Sequence, residues 1–168
     1  MKQQIVISGI GGQGVLFATR LIAEAAMEEG LPVLTSETHG MAMRGGTVIS
    51  HVKAGPFQSP LIRPGQADAG LFLHGGNLEL HRPFIREGGS LFVNRPGPAA
   101  GGGIDAARLA QDFGHPVIAN LVLIGHAASR GALFCGADTL RAVLRRISPP
   151  ERLDINRQGF EIGFGFEG

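Results

Sequence analysis

The 168-residue sequence predicts a single α/β domain, spanning residues 1–168, with three α/β/α layers and a mostly parallel sheet. Three observations favour this fold class. An apolar run, a glycine-rich turn and an amphipathic helix follow one another at the start of the chain. Further short apolar runs alternate with helical segments, as in α/β domains. The 27 glycines supply the many tight turns that such alternation requires.

The first 55 residues predict two strands around a helix, followed by a loop and a third strand. Residues 5–7 (IVI) form a short apolar run typical of a buried parallel strand, and residues 13–29 carry apolar side chains at helical spacing. Residues 31–36 predict the second strand, which completes a βαβ unit. Residues 37–46 are polar and glycine-rich, which indicates a loop. The strand expected at 47–55 follows so closely that it can run antiparallel.

The middle of the chain predicts two further apolar strands at residues 69–75 and 89–95. A poor helix is expected between them at 76–87, because Pro83 interrupts it. Two segments rich in proline or glycine, 56–64 and 96–103, predict irregular connections.

Three helices are expected in the remainder, each with a polar residue at its start. Asp105, Asn120 and Asp138 are the predicted N-caps, because their side chains can accept a hydrogen bond from a free backbone N–H of the first turn. The helix after Asn120 is apolar nearly all round, so we expect it at the centre of the domain. Three phenylalanines close the chain and are expected to dock on the domain or to form an interface: Phe160, Phe164 and Phe166.

Composition argues against several classes of protein. The formal net charge is +1, so there is no electrostatic case for binding nucleic acid or an anionic membrane. No apolar run is long enough for a membrane span and no signal peptide is recognisable, so a cytoplasmic location is expected. The lone cysteine, Cys135, is expected to be buried. It cannot form an internal disulfide or hold an iron–sulfur cluster, and no zinc-ligand spacing is present.

The turn GIGGQG at residues 9–14 is the first candidate binding site. Gly9, Gly11 and Gly14 fit the G-x-G-x-x-G spacing of a Rossmann-like dinucleotide site, and Glu37 stands where such an enzyme would hold the ribose hydroxyls. A free-standing NAD(P)- or FAD-binding oxidoreductase is therefore one interpretation. The scattered histidines supply no obvious substrate machinery, and a plain scaffold without a ligand is a third interpretation.

Four segments carry a resemblance to a known family. Residues 9–26 (GIGGQGVLFATRLIAEAA) and 36–55 (SETHGMAMRGGTVISHVKAG) resemble two long motifs of the gamma subunit or domain of the 2-oxoacid:ferredoxin oxidoreductases. Residues 117–131 and 155–164 are similar to later segments of that family. The likeness is strongest to the small subunit of the indolepyruvate type, and it covers nearly the whole chain. Residues 56–64 and 96–103 match no motif of the family.

The resemblance implies a subunit of an enzyme complex. These complexes convert a 2-oxo acid, coenzyme A and oxidised ferredoxin into acyl-CoA, CO2 and reduced ferredoxin. The resemblance implies that a larger partner carries thiamine diphosphate, magnesium and iron–sulfur clusters. This chain would bind no cofactor stably, would reach ferredoxin only through the complex, and would be inactive when isolated. It could form a homodimer when isolated. The resemblance does not identify which 2-oxo acid the complex oxidises.

Within that interpretation the two N-terminal motifs are the candidate site, with no catalytic residue assigned. The glycine loop is a candidate contact for a phosphate of coenzyme A, and the second motif is a candidate for a ligand or a subunit interface. The alternative is that the second motif packs internally and its polar groups satisfy one another. The candidate residues are Gly11, Gly12, Gln13 and Gly14 in the first motif, and Glu37, Thr38, His39 and Arg44 in the second.

Overall fold

The computed structural model describes residues 1–40, 45–97 and 103–168. Within these ranges six strands form one sheet in the order β2-β3-β1-β4-β5-β6. The strands are β1 Gln3–Ile10, β2 Val33–His39, β3 Thr47–Ala54, β4 Ala67–Phe72, β5 Ile85–Asn94 and β6 Gly103–Ile104. The α-helices of the same ranges are α1 Val15–Glu28, α2 Leu78–His81, α3 Ala106–Phe113, α4 Ala119–Ser129, α5 Ala137–Ile147 and α6 Leu153–Phe164.

The sheet is mixed, and the α/β class is confirmed. Strand β1 pairs in parallel with β4, β4 with β5, and β5 with β6. Strand β3 runs antiparallel to both of its neighbours, β1 and β2. The antiparallel strand that the short link predicted is therefore present, and it lies inside the sheet.

The strand–helix–strand unit is present with β1 parallel to β2, but the two strands are not neighbours. Strand β3 lies between them and pairs with β1 along its full length, from Gln3 opposite Ala54 to Ile10 opposite Thr47. The connection from β2 to β3 is too short for a crossover helix, so the two strands form a hairpin. That hairpin places β3 against β1 and displaces β2 to the edge of the sheet.

Strand β2 is longer than the sequence predicts. Glu37, Thr38 and His39 were expected to lie in a loop, whereas they continue the ladder with β3, opposite Ser50, Ile49 and Val48. All three are exposed. A strand at the edge of a sheet tolerates polar side chains at its solvated end. The polar residues that predicted a loop here therefore belong to an edge strand.

The longer helices share one face of the sheet. Side chains of β1 such as Ile5 and Ile7 belong to a single apolar core with residues of α1, α3, α4 and α5 and with Phe160 of α6. Residues 120–127 of α4 are all buried, which confirms its predicted central position.

The second face carries a thinner layer. A small apolar cluster there joins Val6, Ile49 and Ala67 to Ile62, which lies in the segment between β3 and β4. The helix expected at residues 76–87 is reduced to the single turn α2 between two 3-10 turns, Gly75–Asn77 and Arg82–Phe84. Pro83 prevents a longer helix, and residues 85–87 already belong to β5.

Of the three predicted N-caps, only Asp105 acts as one. Its Oδ1 accepts a hydrogen bond from the backbone N–H of Arg108 at 3.1 Å, at the start of α3. Helix α4 begins at Ala119, one residue before Asn120, so Asn120 lies inside its first turn. Helix α5 begins after Gly136, and Asp138 instead pairs with Arg141 at 3.0 Å.

The C-terminal segment docks on the domain through α6, which packs along α4. Phe160 is fully buried, and Phe164 and Phe166 are partly buried against the main core. The close approach depends on Gly125 of α4 and Gly163 of α6. A Cβ at Gly163 would lie 2.9 Å from the backbone N of His126, and a Cβ at Gly125 would lie 2.9 Å from that of Phe164.

Candidate functional site

The glycine loop joins β1 to α1, and Gln13 fixes its shape. The Gln13 side chain accepts a hydrogen bond from the backbone N–H of Ile10 at 2.9 Å and donates one to the carbonyl oxygen of Leu73 at 3.1 Å. It thereby ties the end of β1 to the residue that follows β4. Both ends of the Gln13 amide are engaged inside the domain, which favours a structural role.

Gly11 brings the two N-terminal motifs together. Its backbone N–H donates to the carbonyl oxygen of Gly46 at 2.9 Å. A Cβ at Gly11 would lie 3.0 Å from the backbone N of Gly45, so a larger residue would push the β2–β3 connection away. In a dinucleotide site the equivalent space admits the pyrophosphate. Here it admits the backbone of the second motif.

Gly14 is in the left-handed region, with φ of 79°, and contacts α4. The side-chain Nδ2 of Asn120 donates to the carbonyl oxygen of Gly14 at 3.2 Å. A Cβ at Gly14 would collide with that Nδ2 atom. The sequence predicted Asn120 as a cap of α4. No local pattern indicates its contact with Gly14, which is distant in sequence.

Gly12 is the exposed glycine of the loop. Its φ is 92°, and a Cβ there would meet no atom of the described residues within 4 Å. Among the described residues, no side chain caps the first turn of α1. The apex of the loop and the start of α1 are therefore the parts of this motif open to a ligand or another chain.

The exposed end of β2 lies beside the glycine loop. Glu37 and His39 lie on one face of the sheet, opposite Ser50 and Val48, while Thr38 lies on the other. Thr38 lines a cavity of about 490 Å³, whose other lining residues include Gly40, Gly45, Gly46, Thr47, Ile49, Leu80 and His81. The remaining candidate, Arg44, lies outside the described residues.

One functional candidate that the sequence did not single out is His81, which lines the same cavity. Asn77 Nδ2 donates to Ser8 Oγ at 3.1 Å, and Ser8 Oγ is 2.6 Å from His81 Nδ1. In neutral His81, Ser8 Oγ donates to Nδ1 if the ring proton is on Nε2 and accepts from Nδ1 if the proton is there. Burial lowers the pKa of His81, which favours this neutral form. The three residues come together only through long-range folding.

A second cavity, of about 470 Å³, opens on the other side of Gln13, where β4 and β5 end. Its polar lining includes His74, Asn94, Arg95 and Asp105. Open α/β sheets commonly bind ligands at this edge. The glycine loop therefore has a cavity on each side of it.

The geometry does not favour the dinucleotide interpretation. The space beside Gly11 is occupied by the backbone of Gly45, and the space beside Gly14 by the side chain of Asn120. Glu37 is on the strand beyond β3, so it is two strand spacings, about 10 Å, from β1 rather than one. A ribose held at the end of β1 would be out of line with that carboxylate.

Cys135 offers no reactive group. The side chain is buried, and this burial, reinforced by the negative charge of Glu29, raises the pKa of its thiol to about 12. In the described ranges no group of three His, Cys, Asp or Glu side chains has the geometry of a metal site. Among these same residues, no helix is long and apolar enough to cross a membrane.

Comparison with known proteins agrees with the resemblance that the motifs indicated. The sequence profile of the pyruvate ferredoxin/flavodoxin oxidoreductase family matches residues 4–166. The indolepyruvate oxidoreductase subunit IorB of Thermococcus kodakarensis is 31% identical over 97% of this chain and 95% of its own. The protein of the same name from Archaeoglobus fulgidus is 28% identical over 98% and 94%.

Solved structures share the fold. The gamma subunit of a keto/oxoacid ferredoxin oxidoreductase from Geobacter sulfurreducens superposes with a TM-score of 0.76 at 27% identity, covering 96% of both chains. A 2-oxoglutarate:ferredoxin oxidoreductase from Magnetococcus marinus superposes with a TM-score of 0.78 at 24% identity over 97% of this chain and 30% of its own.

These matches extend over both N-terminal motifs and almost all of the remaining sequence. They identify the chain as a member of the pyruvate ferredoxin/flavodoxin oxidoreductase family and a small subunit of the 2-oxoacid:ferredoxin oxidoreductases.

Proposed function

We propose that this chain is the non-cofactor-carrying subunit of a thiamine-diphosphate-dependent complex. In that complex a 2-oxo acid, coenzyme A and oxidised ferredoxin give acyl-CoA, CO2 and reduced ferredoxin. A larger partner would hold the thiamine diphosphate, magnesium and iron–sulfur clusters. The lone buried Cys135 supports this division of labour, because an iron–sulfur cluster needs several thiolate ligands.

The contact between the two motifs carries the proposal. The hydrogen bond from Gly11 to Gly46 joins the glycine loop and the β2–β3 connection into one continuous surface. Gly12, Glu37 and His39 are exposed along it. We refer to this surface, made of residues 11–14 and 37–39, as the glycine-loop edge. Exposed polar groups on a rigid scaffold are typical of a binding surface.

The main role of the glycine-loop edge would be to bind the partner subunit, and its second role would be to contact coenzyme A. The uncapped first turn of α1 leaves backbone N–H groups that favour an anion, such as a phosphate of coenzyme A or a carboxylate of the partner. The structure of the Magnetococcus marinus protein contains coenzyme A, which makes this ligand a reasonable one to test here.

The names of the relatives support a proposal for the substrate. Those named above at 28% and 31% identity are subunits of indolepyruvate oxidoreductases. We therefore propose an aryl 2-oxo acid such as indolepyruvate as the substrate of the assembled enzyme. The pocket that selects it would lie on the partner.

A charge-neutral surface variant tests the assembly role. His39→Ala removes an exposed side chain at the glycine-loop edge and should weaken the affinity for the larger partner about tenfold, through loss of one interface contact. Gln111→Ala, on the exposed face of α3, is the matched uncharged control and should bind normally. Affinity is measured by surface plasmon resonance with the immobilised partner. Equal binding by both variants would refute an interface at this edge.

A further inference from the structure

The segment between β3 and β4 builds a cavity that the proposed function does not use. This cavity has a volume of about 580 Å³, within the range of small-molecule sites. It lies beside Gln4 and Lys53, which pair across β1 and β3. The glycine loop is at the opposite end of β1, about 20 Å away for six strand residues. The segment matches none of the motifs that indicated the family.

The wall of this cavity is firmly held. Ile62 is buried in the apolar cluster of the second sheet face, and its backbone N–H donates to His51 Nδ1 at 2.8 Å. The backbone N–H of Gly65 donates to the carbonyl oxygen of Pro83 at 2.8 Å. These two hydrogen bonds hold the backbone on both sides of Arg63 in the chain. The cavity is therefore a formed feature of the fold.

The lining carries positive charge without a counter-charge. Lys53 is 8% exposed and Arg63 is exposed, and both line the cavity. The ring of Phe57 has the ammonium groups of Lys53 and Lys2 at 5.2 and 5.1 Å from its centroid. Among the described residues that line the cavity, none is acidic.

The nearest carboxylate on the adjoining strand is already engaged. Asp68 accepts hydrogen bonds from Arg86 Nε at 2.8 Å and from the backbone N–H of Gln4 at 2.7 Å. Within the described ranges, Lys53 and Arg63 form no ion pair. Lys53 therefore has no counter-ion in these ranges, and burial of its side chain together with the charge of Arg63 lowers the pKa of Lys53.

We propose that this cavity binds a small phosphate monoester. The charge count favours a phosphate over a single carboxylate, because a phosphate monoester carries close to two negative charges at neutral pH. It can therefore neutralise Lys53 and Arg63 together, whereas a monocarboxylate leaves one cation without a partner. Ser59 and the Gln58 amide on the same wall offer polar hydrogen atoms, and Phe57 provides an apolar surface for the organic part.

Phenyl phosphate is the probe, titrated by calorimetry into the full chain at low ionic strength. The wild-type protein should bind one equivalent saturably. Lys53→Met keeps the packed methylene stem while removing the charge, and should weaken binding about tenfold or more. Arg63→Gln, at an exposed position that tolerates change, should weaken binding by a similar factor. Circular dichroism verifies that each variant is folded.

Two controls make the result specific. Arg145→Gln on the exposed face of α5 lowers the net charge by the same amount and should leave the affinity unchanged. Benzoate, a monoanion with the same ring, should bind about tenfold more weakly than phenyl phosphate. The proposal is overturned if the wild type shows no saturable binding, or if Arg145→Gln costs as much as Arg63→Gln. Equal affinity for benzoate would refute the requirement for two charges.

Discussion

Single residues in the glycine loop explain why a dinucleotide pattern occurs here. Gly11 and Gly14 are needed because the backbone of the second motif and the side chain of Asn120 approach them closely. The sequence correctly predicts that these positions require glycine. It leaves the neighbour that fills the space undetermined, because Gly45 and Asn120 are brought there by tertiary folding.

Substitution of two glycines in this loop separates backbone strain from crowding. Gly12 and Gly14 both have positive φ, so alanine at either should cost about 1 kcal/mol of unfolding free energy. Gly14→Ala should cost about 1–3 kcal/mol more, because its Cβ would also displace Asn120. Urea denaturation measures both values. Equal losses for the two variants would show that the Asn120 contact is unimportant.

At the level of elements, the sequence predicts the positions of the helices along the chain better than it predicts their packing partners. The predicted cap Asp105 places the start of α3 correctly, and the apolar run after Asn120 correctly indicates a central helix. The errors fall on β2, whose exposed polar end suggested a loop, and on residues 76–87. The edge position of β2 overrides its local composition, whereas the helix at 76–87 is limited by Pro83 and by the start of β5 at Ile85.

The packing of α6 on α4 yields a prediction at this scale. Gly163→Ala should destabilise the protein by about 2 kcal/mol or more, although alanine is the better helix former, because its Cβ would press on the backbone of α4. Gly136→Ala, whose Cβ would meet no described atom within 4 Å, should cost only about 1 kcal/mol, because alanine is a poorer N-cap of α5. Chemical denaturation compares the two. A stabilised Gly163→Ala protein would contradict the close helix contact.

Across the whole molecule, three buried histidines couple stability to pH. Burial lowers the pKa values of His51, His81 and His126 below the ordinary 6.5. The unfolded chain therefore binds protons near pH 6.5 that the folded chain does not. The contribution of these histidines to the free energy of unfolding should therefore be complete above pH 6.5 and should decrease as the pH falls below 6.5.

His126 provides the test of this coupling. Its Nδ1 is buried without a hydrogen-bond partner among the described residues, so His126→Leu removes a group that resists protonation. The variant should lose less stability between pH 7.5 and 5.5 than the wild type. Urea denaturation across that interval measures the difference. An unchanged pH dependence would show that His126 does not contribute.

The molecule as a whole was predictable in class and family more than in detail. The two long motifs indicated the family, and the strand and helix patterns indicated the α/β class. The insertion of β3 between β1 and β2 was not predictable, because strand order depends on pairings distant in sequence. The hydrogen bonds among Asn77, Ser8 and His81 and the cavity at Lys53 were not predictable for the same reason.

The central claim is that this chain works as a subunit within a larger oxidoreductase. The most direct measurement is ferredoxin reduction by the purified larger partner, with and without this chain, in the presence of indolepyruvate and coenzyme A. We expect a stable complex of the two proteins and activity only when both are present. Full activity of the partner alone, together with no complex on gel filtration, would contradict the account.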